Sequence, residues 1–177
     1  MSGGATDWQL EPVGVRTRIL LGVLCVALPV VLVLATSRQL VASATMLGVG
    51  IVVWFVLDRL THRHRVAVDD AGLEVVTAMY RRRIAWPELR LDAARVIAID
   101  EHPERKPRFK TNGMSTFGFN GGWFRSRDMG KLFVAMAGGK RLLWLPTTLG
   151  YTLLLEPRRP QALLDRLLEL APPARRR

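Results

Sequence analysis

Two charge-free stretches decide the architecture: Ile19 to Ser37 (ILLGVLCVALPVVLVLATS) and Gln39 to Leu57 (QLVASATMLGVGIVVWFVL), separated only by Arg38. Each holds 19 residues. At ~1.5 Å per residue such a run spans roughly 28 Å as a helix, close to the ~30 Å hydrocarbon thickness of a bilayer. The economical reading is a transmembrane hairpin: one span over residues 19–37, then a tight turn at Thr36-Ser37-Arg38-Gln39 and a second span within residues 38–57. A cleaved signal peptide competes for the first run, because Arg16 and Arg18 precede it and Ala35 offers a small-residue cleavage site. The first run exceeds the length of a signal core, and the second would anchor the chain in any case. Pro29 is expected to kink the first helix, and Gly22, Gly48 and Gly50 offer close-contact positions between the helices.

Working outward, the flanks set an orientation. Arg16 and Arg18 precede the first span, Arg38 alone lies in the turn, and Arg59, Arg63 and Arg65 follow the second. Cytoplasmic flanks carry the Lys/Arg excess, so both termini are expected at the cytoplasmic face of a cell membrane, with residues 1–18 as a cytoplasmic N-terminal segment. Trp54, near the end of the second span, fits an interfacial anchor, and Trp8 is placed on the surface ahead of the first. The lone cysteine, Cys25, sits inside an apolar run, reads as a small packing residue and permits no intramolecular disulfide.

The chain has 177 residues and a formal charge of +11. From Asp58 onward lie 23 of the 26 Lys+Arg and 13 of the 15 Asp+Glu, so this part carries +10. Such an excess favours an anionic partner, lipid or nucleic acid. Residues 58–64 read as a basic juxtamembrane linker. From Arg65 the pattern changes to short alternating segments broken by turn residues, the mark of β-structure. Arg65–Val68 and Leu73–Val76 flank Asp69-Asp70-Ala71-Gly72 as a hairpin. Further strands are expected from Arg82 to Trp86, ended by Pro87, from Ala94 to Asp100, from Lys131 to Met136, from Arg141 to Leu145 and from Tyr151 to Leu155. The third and fourth of these are read as a hairpin closed by Ala137-Gly138-Gly139-Lys140. Pro160 to Leu170 switches to helical period, with Leu163, Leu164, Leu167, Leu168 and Leu170 marking one face and Pro160 suited to the first turn. Residues 171–177 are expected to be a disordered basic tail.

Seven or so strands closed by an amphipathic C-terminal helix is a pleckstrin-homology-like (PH-like) layout. In Arg82-Arg83-Ile84-Ala85-Trp86-Pro87-Glu88-Leu89, in Phe117-Gly118-Phe119-Asn120-Gly121-Gly122-Trp123-Phe124 and in Tyr151-Thr152-Leu153-Leu154-Leu155-Glu156-Pro157, the chain resembles the bacterial PH domain membrane proteins. The resemblance covers residues 65–170 and implies a mostly-β PH-like barrel with a C-terminal α-helix, behind a transmembrane hairpin. It implies no reaction and no ligand. Eukaryotic PH domains grip inositol lipids with basic residues around the first hairpin loop; the corresponding turn here, Asp69 to Gly72, is acidic, which argues against that recognition.

No catalytic constellation emerges. The Gly-rich segment Asn112 to Gly122 lacks the glycine spacing and Gly-Lys-Ser/Thr ending of a phosphate loop, and reads as a strand connection. His62 and His64 form a His-x-His pair with nothing to complete a four-ligand metal set, and His102 stands apart. Asp92, Asp100 and Glu101 read as surface groups. The pattern points away from an enzyme, and no cofactor or metal is expected. The candidate contacts for an anionic lipid or partner are the basic residues Arg59, Arg63, Arg65, Arg81, Arg82, Arg83, Lys106, Arg108 and Lys110. Phe117, Phe119, Trp123 and Phe124 are candidate aromatic contacts, for a bilayer or a peptide. The reading is a membrane-anchored interaction or assembly module that docks a protein partner or anionic lipid. The alternatives are an accessory subunit of a transporter or envelope enzyme, and a nucleic-acid-binding domain, which the charge favours and the missing reader motif opposes. Self-association is a further possibility.

Overall fold

The computed structural model describes residues 6–11, 14–37, 40–61, 65–77, 79–116 and 119–172. The chain divides into two compact units, Val13–His62 and a β-rich unit made of Met1–Pro12 together with Arg63–Arg177.

The first unit is helical. Helix α1 (Val15–Gly22) runs through a π-helical turn (Val23–Ala27) into α2 (Leu28–Ser37), and α3 (Leu40–Thr61) follows. Both Val15–Thr36 and Leu40–Leu60 are long and apolar enough to cross a membrane. Pro29 accounts for the π-turn. It has no N–H for the carbonyl four residues back, that of Cys25, and its ring crowds that carbonyl, so the ladder widens locally. The helices approach closely at that place: a Cβ on Gly50 would overlap the Cys25 carbonyl oxygen and lie 3.1 Å from the Val26 Cα. Gly22 lies against Trp54, whereas Gly48 has nothing near it. Arg18 Nε donates to Asp58 Oδ1 at 2.8 Å, so contacts 18/58, 22/54 and 25/50 describe one antiparallel pair. Both helices extend past the charge-free runs, starting at Val15 and ending at Thr61. Residues 58–61, expected in a linker, are therefore helical. Loss of hydrophobicity marks where the apolar environment ends, while backbone hydrogen bonding continues into a flank whose Arg18 and Asp58 neutralise each other.

Among the described residues the β-rich unit contains ten strands: β1 (Thr6–Gln9), β2 (Arg65–Asp69), β3 (Gly72–Val76), β4 (Arg81–Ala85), β5 (Arg95–Ala98), β6 (Phe109–Thr116), β7 (Phe119–Arg125), β8 (Lys131–Met136), β9 (Arg141–Pro146) and β10 (Thr152–Leu155). They form one sheet of order β1-β2-β3-β4 and another of order β5-β9-β10-β8-β7-β6, followed by helix α4 (Pro160–Leu170). Within the N-terminal segment, β1 is a strand that the sequence pattern does not announce. It pairs with β2, Gln9 opposite Arg65, so the helical unit is an insertion between two neighbouring strands. Trp8, expected on the surface, packs half-buried against the core.

The Asp-Asp-Ala-Gly turn forms as its residues dictate: Asp69 Oδ1 accepts the N–H groups of Ala71 (2.9 Å) and Gly72 (3.0 Å). β4 stops where Trp86-Pro87-Glu88 closes a 3₁₀ turn. There Glu88 accepts the Ala85 N–H at 2.8 Å, and the buried Trp86 donates Nε1–H to the Asp70 carbonyl at 3.0 Å.

The expected hairpin between β8 and β9 is not formed. β10 lies between them, parallel to β8 and antiparallel to β9, so Ala137–Lys140 is an arch over the end of β10. Strands two positions apart are separated by about 10 Å, within reach of a four-residue link. The Gly-rich segment, expected as a loop, supplies β6 and β7, which pair over Gly113 and Gly122 with a bulge between Lys110 and Asn112.

The main core lies between the sheets and α4, with Val66, Leu73, Phe133, Leu143 and Leu153 fully buried. α4 contributes Leu163, Leu164 and Leu167; Leu168, expected on that face, is 40% exposed because the stripe turns past it. A second cluster, including Phe124, Leu132, Leu142 and Leu154, occupies the other face of the six-stranded sheet. Arg105, on the segment joining β5 to β6, stacks over Trp144 at 5.1 Å on that side.

Candidate functional site

Strand alternation sorts the basic residues. On β4 successive side chains point to opposite faces. Arg81 pairs with Glu74, and Arg83 with Asp69, whose carboxyl is held below its usual range: the turn N–H bonds and Arg83 together outweigh desolvation. Arg82 points the other way, lies opposite Val75, and places its guanidinium over the Trp123 ring at 5.1 Å. Lys131, from β8, sits on the same ring at 4.5 Å. Two cations from different sheets therefore converge on one indole, which also meets Phe133 and Tyr151 edge-on.

Lys131 has Arg125 of β7 as its direct cross-strand neighbour, and Arg125 in turn faces Phe109 of β6. Arg108 precedes Phe109, its N–H donating to the Arg125 carbonyl at 2.9 Å, with its guanidinium 5.8 Å from the Phe109 ring. Arg82, Arg108, Arg125 and Lys131 are all exposed, and none pairs with a carboxylate among the described residues. Like charges directly opposite on a sheet are destabilising, so the Arg125–Lys131 pair works against the fold. Beside this row runs β6, the outer strand of its sheet, paired among the described residues with β7 alone and exposed along residues 109–112.

The other candidates lie apart. Lys110 is exposed on β6 opposite Phe124. Lys106 and Lys140 each reach Asp100 at 3.3 Å, and these bonds hold its carboxyl below the usual range. With Ile99, Asn120, Met136 and the Gly138-Gly139 turn they line an open cleft of about 270 Å³. Its wall is fixed from behind by Glu156, 4% exposed, whose carboxylate accepts the N–H groups of Ala137 (2.6 Å) and Gly139 (2.9 Å). Arg65 begins β2 beside Gln9, and Arg59 lies over Phe55 at 5.1 Å in the helical unit. Arg63 and Phe117 lie outside the described residues.

The three described aromatic candidates are not surface groups. Phe119, Trp123 and Phe124 are 2%, 8% and 3% exposed, Trp123 within the main core and Phe124 within the second cluster. As placed they present no apolar surface to a bilayer or peptide; Trp123 acts through the cations stacked on it. The sequence reading passed over Lys131, Arg125 and Lys140, which only strand pairing and the β8–β9 arch bring into these groups. Glu156 was readable as a carboxylate in an apolar run, Leu153-Leu154-Leu155-Glu156, a signal that it would be buried. Among the described residues no group of three or more His, Cys, Asp or Glu side chains is placed to hold a metal. No family model, curated protein or solved structure matches the chain.

Proposed function

We propose that this chain is a membrane-anchored interaction module whose PH-like β unit docks an extended, acidic segment of a protein partner at the cytoplasmic face. The supporting observation is the uncompensated row Arg82, Lys131, Arg125 and Arg108 beside the open edge of β6. An extended peptide adds to such an edge through main-chain hydrogen bonds, and its carboxylates relieve the repulsion that Arg125 and Lys131 impose on each other. Two apolar spans with basic flanks hold the unit at the membrane, so the search for a membrane partner is reduced to two dimensions. The pairing of two sheets with a C-terminal helix supports the PH-like reading, and the parallel β8–β10 pair is its local departure from an all-antiparallel meander.

A photo-reactive residue at Thr111, the exposed bulge position of β6, tests this in native membranes. The expected product is an adduct with an acidic segment of one protein, with yield falling at least tenfold in Arg125→Glu/Lys131→Glu and in high salt. Adducts with lipid alone, or a yield indifferent to both treatments, would overturn the reading. A companion result is expected from Arg125→Gln: removing the like-charge pair raises thermal stability by about 0.5 kcal/mol while lowering capture.

A further inference from the structure

The helical unit holds a second recess, independent of the β unit. It is a cleft of about 280 Å³ lined by Val15, Arg18, Ile19, Gly22 and Trp54. It exists because position 22 has no side chain: a Cβ there would touch the Trp54 indole nitrogen at 3.4 Å, and anything larger would fill the space. Its chemistry changes along its length. Toward Arg16 and Asp58 it offers a guanidinium that uses Nε for Asp58 at 2.8 Å, with both terminal nitrogens outside that bond. Further in, at the level of Gly22, is the Trp54 Nε1–H, which donates to nothing among the described residues; Ile19, 62% exposed, lies between the two, and Val15, 69% exposed, closes the outer end one turn before Arg18.

We propose that this cleft is a binding site for one anionic phospholipid, with the headgroup phosphate on the Arg18 guanidinium, an ester oxygen on the Trp54 N–H and the start of an acyl chain running inward over Ile19 and Gly22. A planar guanidinium suits bidentate phosphate contact, and an indole at the ends of membrane spans bonds polar groups at that depth. Charge complementarity selects an anionic lipid: among the described residues of the helical unit's end, Arg16, Arg18 and Arg59 stand against one carboxylate, Asp58. Arg18 is thereby given two tasks, closing the hairpin through Asp58 and gripping lipid through its free nitrogens. The inference rests on the helices lying in a bilayer, and not on what the β unit docks.

The test is native mass spectrometry of the full chain released from mild detergent, supplied with phosphatidylglycerol or phosphatidylcholine of matched acyl chains. One retained phosphatidylglycerol per chain is expected, held at least tenfold more tightly than phosphatidylcholine. Gly22→Leu, which fills the cleft, should abolish this retention, and Trp54→Phe, which keeps the ring's bulk but removes the N–H, should weaken it severalfold with helical content unchanged. A graded series of lipids without headgroup preference, or retention unaffected in both variants, would overturn the site. Alkaline carbonate extraction separates the two failures. Wild-type chain released by carbonate refutes the membrane reading itself, whereas chain that stays in the membrane pellet without a preferred lipid refutes only the cleft.

Discussion

Glu156→Ala is expected to lower the stability of the β unit by about 2 kcal/mol, because it orphans two part-buried backbone donors at once, each worth roughly 1 kcal/mol at the low end of the range for an unsatisfied donor. The carboxylate under the β8–β9 arch accepts from Ala137 and Gly139, and no other group among the described residues takes its place. Hydrogen exchange should show the loss first at those two amides, alongside a lower thermal midpoint in detergent. Gly139→Ala should act through the same contact. Its Cβ would overlap a Glu156 oxygen and lie 2.7 Å from the carboxyl carbon, so the carboxylate must leave its donors. The pH dependence has a definite sign. Burial raises the Glu156 carboxyl above the ordinary glutamate value, more than the bonds from Ala137 and Gly139 lower it. The folded chain therefore keeps this proton to a higher pH than the unfolded chain does. Stability from this group is greatest below the unfolded value and declines as pH rises through the folded one. The alanine variant lacks that slope, so the gap between wild type and variant should narrow from acidic toward neutral pH.

The second large effect is expected in the helical unit, where two glycines two residues apart should behave oppositely. Gly50→Ala drives a Cβ into the backbone of Cys25 and Val26, which cannot yield as a side chain could, and should destabilise the hairpin by about 3 kcal/mol. The Cβ of Gly48→Ala meets nothing among the described residues within 4 Å and should change stability by less than about 0.5 kcal/mol. Thermal loss of helical signal in detergent, with exchange at residues 23–27 as the local probe, distinguishes the two. Equal effects would mean that the helices do not cross at Gly50.

What was readable in the sequence was what local chemistry decides. Charge-free runs of helical length announced the two long helices, Asp69-Asp70-Ala71-Gly72 announced a hairpin, and Pro160 with its leucine stripe announced α4. What was not readable depends on partners distant along the chain. Thr6–Gln9 is too short and polar to declare itself a strand, and becomes one only because β2 offers an edge 56 positions later. The glycines of Asn112 to Gly122 hid β6 and β7, since glycine weakens strand preference and is tolerated here by close backbone approach across the pair. The insertion of β10 between β8 and β9 has no local signature apart from a glutamate where apolar residues would be expected. The candidate site follows the same division. Arg81, Arg82 and Arg83 are one cluster in sequence, yet the pleat sends two to carboxylates and one to Trp123. Arg125 and Lys131 become neighbours only through the β7–β8 register.

The pairing of β1 with β2 across an inserted helical hairpin bears on how such a chain is made. The first strand leaves the ribosome before either apolar helix, and has no partner until the residues after both have been synthesised. For a hairpin that enters a bilayer, the two strands can meet only when both helices have crossed and the chain has returned to the side it started from. A chain that inserts one helix, or turns the wrong way, keeps Thr6–Gln9 and Arg65–Asp69 on opposite sides and leaves the four-stranded sheet incomplete, with hydrophobic surface open to proteases. In a membrane-spanning hairpin, completion of the four-stranded sheet would therefore report that both helices have crossed.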